Sequence, residues 1–167
     1  MSKIIAVSGN KNSGKTTLIE RLTARFLEMG INTAVIKHDG HKFKPDRDGT
    51  DTSRFYEAGA IGTVIVDREK IQIVYRKSPN MDKLLKCFSE ADIILLEGFK
   101  SSNYPKLWIC SGDSKTEVKN IIAWIGNTEN SPCFDGDDIE GIADFIMKYE
   151  RSISHDREGL EKNNLSL

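Results

Sequence analysis

The chain has 167 residues, 38% hydrophobic and 29% charged, a size and balance suited to one soluble domain with a substantial core. Its formal net charge of -1 offers no global attraction to nucleic acid or to an anionic membrane, and no stretch approaches the roughly 20 apolar residues that a membrane span needs. Three widely spaced cysteines (Cys87, Cys110 and Cys133) make neither a disulfide framework nor a CxxC metal site, and they fit a reducing cytoplasm.

Lys3 to Ser8 is a short apolar run that meets Gly9, which predicts a buried strand. Lys15 to Met29 is helical, because Leu18, Leu22 and Phe26 recur at four-residue steps, and Gly30 supplies its stop. Ile31 to Lys37 predicts a second strand, so the opening is a strand–loop–helix–strand unit with parallel strands and a right-handed crossover. His38 to Thr50 is polar, with Lys42, Lys44 and Arg47 and only Phe43 as a large apolar residue, and predicts a loop over the sheet's carboxyl edge. Thr52 to Ala58 predicts a short helix, and Ile61 to Val66 with Ile71 to Arg76 a hairpin across the charged turn Asp67-Arg68-Glu69-Lys70. Met81 to Ala91 predicts another amphipathic helix, and Ile93 to Leu96 a buried strand that ends in Glu97-Gly98. Leu107 to Cys110 and Ile121 to Ile125 are further strands, and Ile139 to Tyr149 is a closing helix capped near Asp137 or Asp138. The pattern predicts an α/β fold of the P-loop NTPase type: a mixed but mainly parallel sheet, helices on both faces and a central β-hairpin. Residues 1–150 are expected to form a single nucleotide-binding domain, and 151–167 a polar, flexible tail.

Gly9-Asn10-Lys11-Asn12-Ser13-Gly14-Lys15-Thr16 matches G-x-x-x-x-G-K-[ST] between a predicted strand and a predicted helix. A triphosphate needs many donors in a small concavity. A glycine-containing loop, with Asn12, Ser13 and Gly14 before the helix, can aim successive backbone N–H groups inward beside the positive helix end. Lys15 is expected to reach the β- and γ-phosphates, Thr16 to ligate Mg²⁺, and Thr17 to bond an α-phosphate oxygen. Glu97 ends a buried strand where an acid near magnesium belongs, and Gly98 permits close backbone approach. Asp51 is a third candidate, for magnesium or for positioning water, among the neighbouring acids Asp46 and Asp48. His38 and His41, with Asp39 between them, have no cysteine or third histidine nearby, so a polar substrate loop outweighs a transition-metal site there. No Asn-Lys-x-Asp tetrad occurs late in the chain. Asn127 lies near where a base-reading loop would fall, so the residues alone support a purine without choosing guanine.

The order of motifs resembles the molybdopterin-guanine dinucleotide biosynthesis adaptor (MobB) family from about Lys3 to Tyr149. The discriminating pieces are Val35-Ile36-Lys37-His38, Gly49-Thr50-Asp51-Thr52 before Arg54 and Glu57-Ala58-Gly59-Ala60, Leu96-Glu97-Gly98-Phe99-Lys100 before Pro105-Lys106-Leu107, and Phe134-Asp135 before Asp138-Ile139. The resemblance implies a dimeric GTP-binding protein with weak GTPase activity. It would assist the molybdopterin guanylyltransferase, the MobA-type enzyme that joins GMP to molybdopterin. It also implies that Lys37, His38, Asp51 and Arg54 belong to the binding cleft, and that dimerisation uses Ile61 to Arg76. Gly40-His41 stands where the family commonly has adjacent histidines, and Asp48-Gly49-Thr50-Asp51 where it has Pro-Gly-Lys-Asp. Two alternatives share the P-loop. A small-molecule kinase would use the basic loop for its acceptor, and a metallochaperone-type GTPase would need a metal site that His38 and His41 only begin to supply.

Overall fold

The computed structural model describes residues 2–39, 46–78, 80–110 and 118–150. The predicted flexible tail and residues 40–45 of the polar loop, His41 included, lie outside the described residues. The chain divides into two compact units, Met1–His38 with Met81–Leu167, and Asp39–Asn80.

The first unit is built on a six-stranded sheet: β1 (Lys3–Gly9), β2 (Thr33–Lys37), β5 (Ile93–Glu97), β6 (Lys106–Ile109), β7 (Ile121–Ile125) and β8 (Cys133–Phe134), in the order β2-β5-β1-β6-β7-β8. Every pairing in it is parallel. Helices α1 (Lys15–Glu28) and α4 (Ile139–Lys148) supply Leu18, Ile19, Leu22, Phe26, Ile142, Ala143 and Ile146 to one core, against Ile5, Val7, Ile93, Leu95, Leu107 and Ile125. The opposite face carries a smaller core in which Met81 of α3 (Met81–Lys86) meets Ala6, Ala34, Ile94, Leu96 and Phe99. Alternation along β1 and β5 explains this division, since consecutive residues point to opposite faces and both faces are covered. Each fully buried Leu, Ile or Phe contributes roughly 1.5–3 kcal/mol, so the two layers fix where the carboxyl ends of β1 and β5 lie. Lys3 fastens the far end, donating from Nζ to the carbonyls of Ile146 (2.8 Å) and Met147 (2.6 Å) at the α4 C-terminus.

The second unit holds α2 (Asp51–Glu57) and an antiparallel pair, β3 (Gly62–Val66) and β4 (Ile71–Tyr75). Asp67 Oδ1 accepts from Glu69 N (2.8 Å) and Lys70 N (2.9 Å), which closes the predicted charged turn. Arg76 lies 4.0 Å from the Tyr56 ring centroid and so ties the end of β4 to α2.

Three expectations are refined. The hairpin forms its own two-stranded sheet, so the main sheet is wholly parallel and not mixed. The helix predicted over Met81–Ala91 ends at Lys86, because Cys87 N already bonds the carbonyls of both Lys83 and Leu84 (3.2 Å each) and Phe88 N reaches only to Leu85 O, tightening the last turn. Strand β8, two residues long, was absent from the sequence reading because so short a run carries no period.

Candidate functional site

Strand β1 ends at Gly9, and the chain turns through residues 10–14 into α1. A Cβ on Gly9 would lie 2.6 Å from Ser13 Oγ and 2.9 Å from the Ile109 carbonyl, so only glycine fits where the loop leaves the sheet. Asn12 (φ 60°) and Gly14 (φ 89°) both take left-handed conformations, which turn the loop into a cradle. Gly14 is the N-cap of α1 and brings no side-chain cap, and the first turn contains no acid. The leading N–H groups of α1 are therefore free to face an anion. Ser13 Oγ is buried with no hydrogen-bond partner among the described residues. Lys15 bends back over the loop, and its Nζ donates to Asn10 O (2.6 Å) and Gly9 O (3.4 Å).

The second half of the site comes from neighbouring strands. Parallel register sets Val7 opposite Glu97 and Lys37 opposite Glu97, so the ends of β1, β5 and β2 stand side by side. Glu97 is buried, at 8% exposure, and its two partners are both predicted site residues. Thr16 Oγ1 donates to Glu97 Oε1 (3.0 Å), and Lys37 Nζ lies 3.2 Å from the same oxygen. A carboxylate this sequestered with two site partners is more than a solvated strand end. Thr16 and Glu97 present only oxygen donors, a set that fits a hard cation such as Mg²⁺. His38 N donates to Glu97 O (3.0 Å), and its ring stands 5.4 Å from that of Phe99. Gly98 (φ 93°) and Phe99 (φ 49°) are both left-handed, and a Cβ on Gly98 would approach His38 O to 3.4 Å. The Ser8 hydroxyl donates to Gly98 O, and Gly98 N donates to Val7 O (3.0 Å), locking this turn against β1.

The structure thus brings together Gly9, Asn12, Ser13, Gly14, Lys15, Thr16, Lys37, His38, Glu97 and Gly98, with Thr17 following in the first turn of α1. Asp51 and Arg54 belong to the second unit, one helical turn apart on α2, where their charged groups are 3.8 Å from each other and exposed. Among the described residues no cluster of three metal-ligating side chains occurs, and no helix is long and apolar enough to cross a membrane.

Sequence reasoning named Lys106 only within a motif, yet it is the supporting residue of this edge. It is fully buried on β6, and its Nζ donates to the carbonyls of Ser102 (2.7 Å), Tyr104 (2.9 Å) and Lys119 (3.0 Å). Among the described residues no carboxylate pairs with it, and burial pushes its pKa down to about 8. The ammonium fastens the segment that follows Glu97-Gly98 to the chain entering β7.

A wholly parallel sheet with the phosphate loop after β1 and an acid at the end of the adjacent strand defines an α/β protein of the P-loop NTPase fold. Residues 4–127 match the family model of molybdopterin guanine dinucleotide synthesis protein B (MobB), and the chain belongs to that family. It is 36% identical over 158 residues to a Bacillus subtilis (strain 168) protein named a probable molybdopterin-guanine dinucleotide biosynthesis adapter protein, covering 86% of this chain and 91% of that one. Identity is 33% over 157 residues with the corresponding adapter protein of Haemophilus influenzae, covering 87% and 88% of the two chains. The crystal structure of Bacillus subtilis MobB superposes with a TM-score of 0.73 at 30% identity, covering 90% of this chain and 99% of that one.

Proposed function

We propose that this protein is a GTP-binding adapter in molybdopterin guanine dinucleotide biosynthesis, a cytoplasmic homodimer that serves the GMP-transferring, MobA-type enzyme. The observation that carries the nucleotide reading is the buried Glu97 held by Thr16 and Lys37 beside the loop of Lys15. The family membership and the relatives' names support the adapter role. In this reading the N–H groups of residues 13–17 and the Lys15 ammonium hold the phosphates. Thr16 and Glu97 would hold Mg²⁺. The ion neutralises charge on the β- and γ-phosphates when bound. Hydrolysis is weak, because the two arginines described in the first unit are engaged elsewhere: Arg21 pairs with Asp137 (2.6 Å) and Arg25 with Glu28 (3.0 Å). Neither serves as an arginine finger on the γ-phosphate.

Calorimetric titration with GTP and with ATP, each with Mg²⁺, tests the reading. Preference for GTP with little turnover, followed by co-purification with the guanylyltransferase, is the expected result. Preference for ATP would transfer the site to a small-molecule kinase.

The hairpin supports the homodimer. Val64, Val66, Ile71, Ile73 and Tyr75 share one face of β3–β4 by register, and each is at least 56% exposed. Monomeric proteins seldom leave so continuous an apolar face open. Ile73→Asp is therefore expected to shift the protein from dimer to monomer in analytical ultracentrifugation. A dimer that survives this change would move the interface elsewhere.

A further inference from the structure

We propose that the base of the bound nucleotide is read at the carboxyl ends of β7 and β8, where Asn127 and Asp135 select guanine. The inference rests on the nucleotide reading above and extends it to the base.

Its first support is direction. The phosphates lie over the loop after β1, and the pair that would hold the metal, Thr16 and Glu97, is on the β5 side of β1. The metal belongs to the terminal phosphates. The nucleoside must then run the other way, across β6, β7 and β8. Strands are about 4.8 Å apart, so β7 and β8 lie about 10 and 14 Å from β1. That matches the reach of a purine nucleoside from its phosphates. These strand ends are also in register with one another: Gly9 pairs Ile109, Cys110 N donates to Ile125 O (2.8 Å), and Gly126 N donates to Phe134 O (2.8 Å). Asn127 and Asp135 are the next residues out from that last bond.

The second support is which side chains there still have hydrogen-bonding capacity. Thr128 Oγ1 accepts from Asn130 Nδ2 (2.8 Å) and Asn130 N (3.3 Å). Asp137 is held by Arg21 on α1, which also donates to Gly136 O (3.3 Å) and so ties this loop to the phosphate helix. Asp138 caps α4, accepting from Gly141 N (3.0 Å). The exposed amide of Asn127 makes no hydrogen bond among the described residues. Asp135, also exposed, is oriented by Asp137 N on Oδ1 (2.9 Å), and its other oxygen takes no bond among the described residues.

The chemistry then chooses the base. Guanine presents two adjacent donors, N1–H and the 2-amino group, which a carboxylate accepts as a pair. Adenine presents an acceptor at N1 and has no 2-amino group, so the same carboxylate repels it. The Asn127 amide can donate to the N7 and O6 acceptors on the opposite edge of guanine.

Titration with GTP, ITP, XTP and ATP, each with Mg²⁺, tests this on the full chain and on Asp135→Asn and Asn127→Ala, with melting curves to confirm folding. The wild type is expected to prefer GTP over ITP, which lacks the 2-amino group, by about tenfold, and over ATP by more. Asp135→Asn should weaken GTP about tenfold or more and bring XTP to equal or tighter binding, since an amide can donate to the 2-carbonyl. Asn127→Ala should weaken GTP and ITP alike. A wild type that binds all four nucleotides equally, or an Asp135→Asn protein that keeps the wild-type GTP-to-XTP ratio, overturns the base site and leaves the phosphate site standing. A wild type that binds none of the four overturns the nucleotide reading itself.

Discussion

Lys15→Ala is expected to weaken GTP binding at least about a hundredfold while moving the melting temperature by no more than about 2 °C. The ammonium is the one cation carried by the phosphate loop's own helix start, and its Nζ already sits against the loop at Asn10 O. Charge-assisted hydrogen bonds to phosphate contribute several kcal/mol when one partner cannot be replaced by water, and each 1.4 kcal/mol is a factor of ten in affinity. The fold owes this side chain little. Leu18, Ile19, Leu22 and Phe26 bury α1, while Lys15 lies on the loop side with only loop carbonyls as partners among the described residues. Binding and stability should therefore separate cleanly in one calorimetric titration and one melting curve. An unchanged affinity would remove the loop from the nucleotide reading. A large fall in melting temperature would mean that Lys15 supports the loop's structure, and Lys15→Met would then be the cleaner probe.

The phosphate loop was legible because its chemistry is local. Gly9, Gly14, Lys15 and Thr16 sit within eight residues, and the strand before them and the helix after them have clear periods. Glu97 was legible for a related reason: an acid that closes a run of four apolar residues marks a strand's end. Its pairing with Lys37 could not be read from local pattern, because it depends on β5 lying between β1 and β2, an order that no periodicity encodes. The family resemblance placed Lys37 and His38 at the site, and the β2–β5 register gives the physical cause. The hairpin was legible as a hairpin, but that it forms a sheet of its own was not. Alternation reports a strand's faces but not its neighbours. Lys106 was passed over as a functional support because its partners are backbone carbonyls, which have no signature in a sequence. The signal available was a single lysine opening an otherwise apolar strand directly after Pro105.

Lys106→Met should lower the melting temperature by roughly 10 °C, and the difference should grow as the pH rises. Methionine keeps the length and packs in the same space, but the carbonyls of Ser102, Tyr104 and Lys119 lose their shared donor. A buried acceptor left unmade costs about 1–3 kcal/mol, and removing the buried charge recovers part of the total, so a net loss of about 3 kcal/mol is expected. For a chain of this size each kcal/mol moves the melting temperature by about 2–4 °C. The pH dependence follows from the lysine's position. Burial holds the folded-state pKa down at about 8, against 10.5 in the unfolded chain. Between these values the unfolded state binds the proton and the folded state does not, so stability from this group rises with pH through that window. The gain reaches about 3 kcal/mol above it, at 1.4 kcal/mol per pH unit. Methionine has no such term, so melting curves of the two proteins compared from pH 7 to pH 10 should diverge. A constant difference across that range would mean that Lys106 keeps an ordinary pKa despite its burial, with water reaching the ammonium beside the three carbonyls.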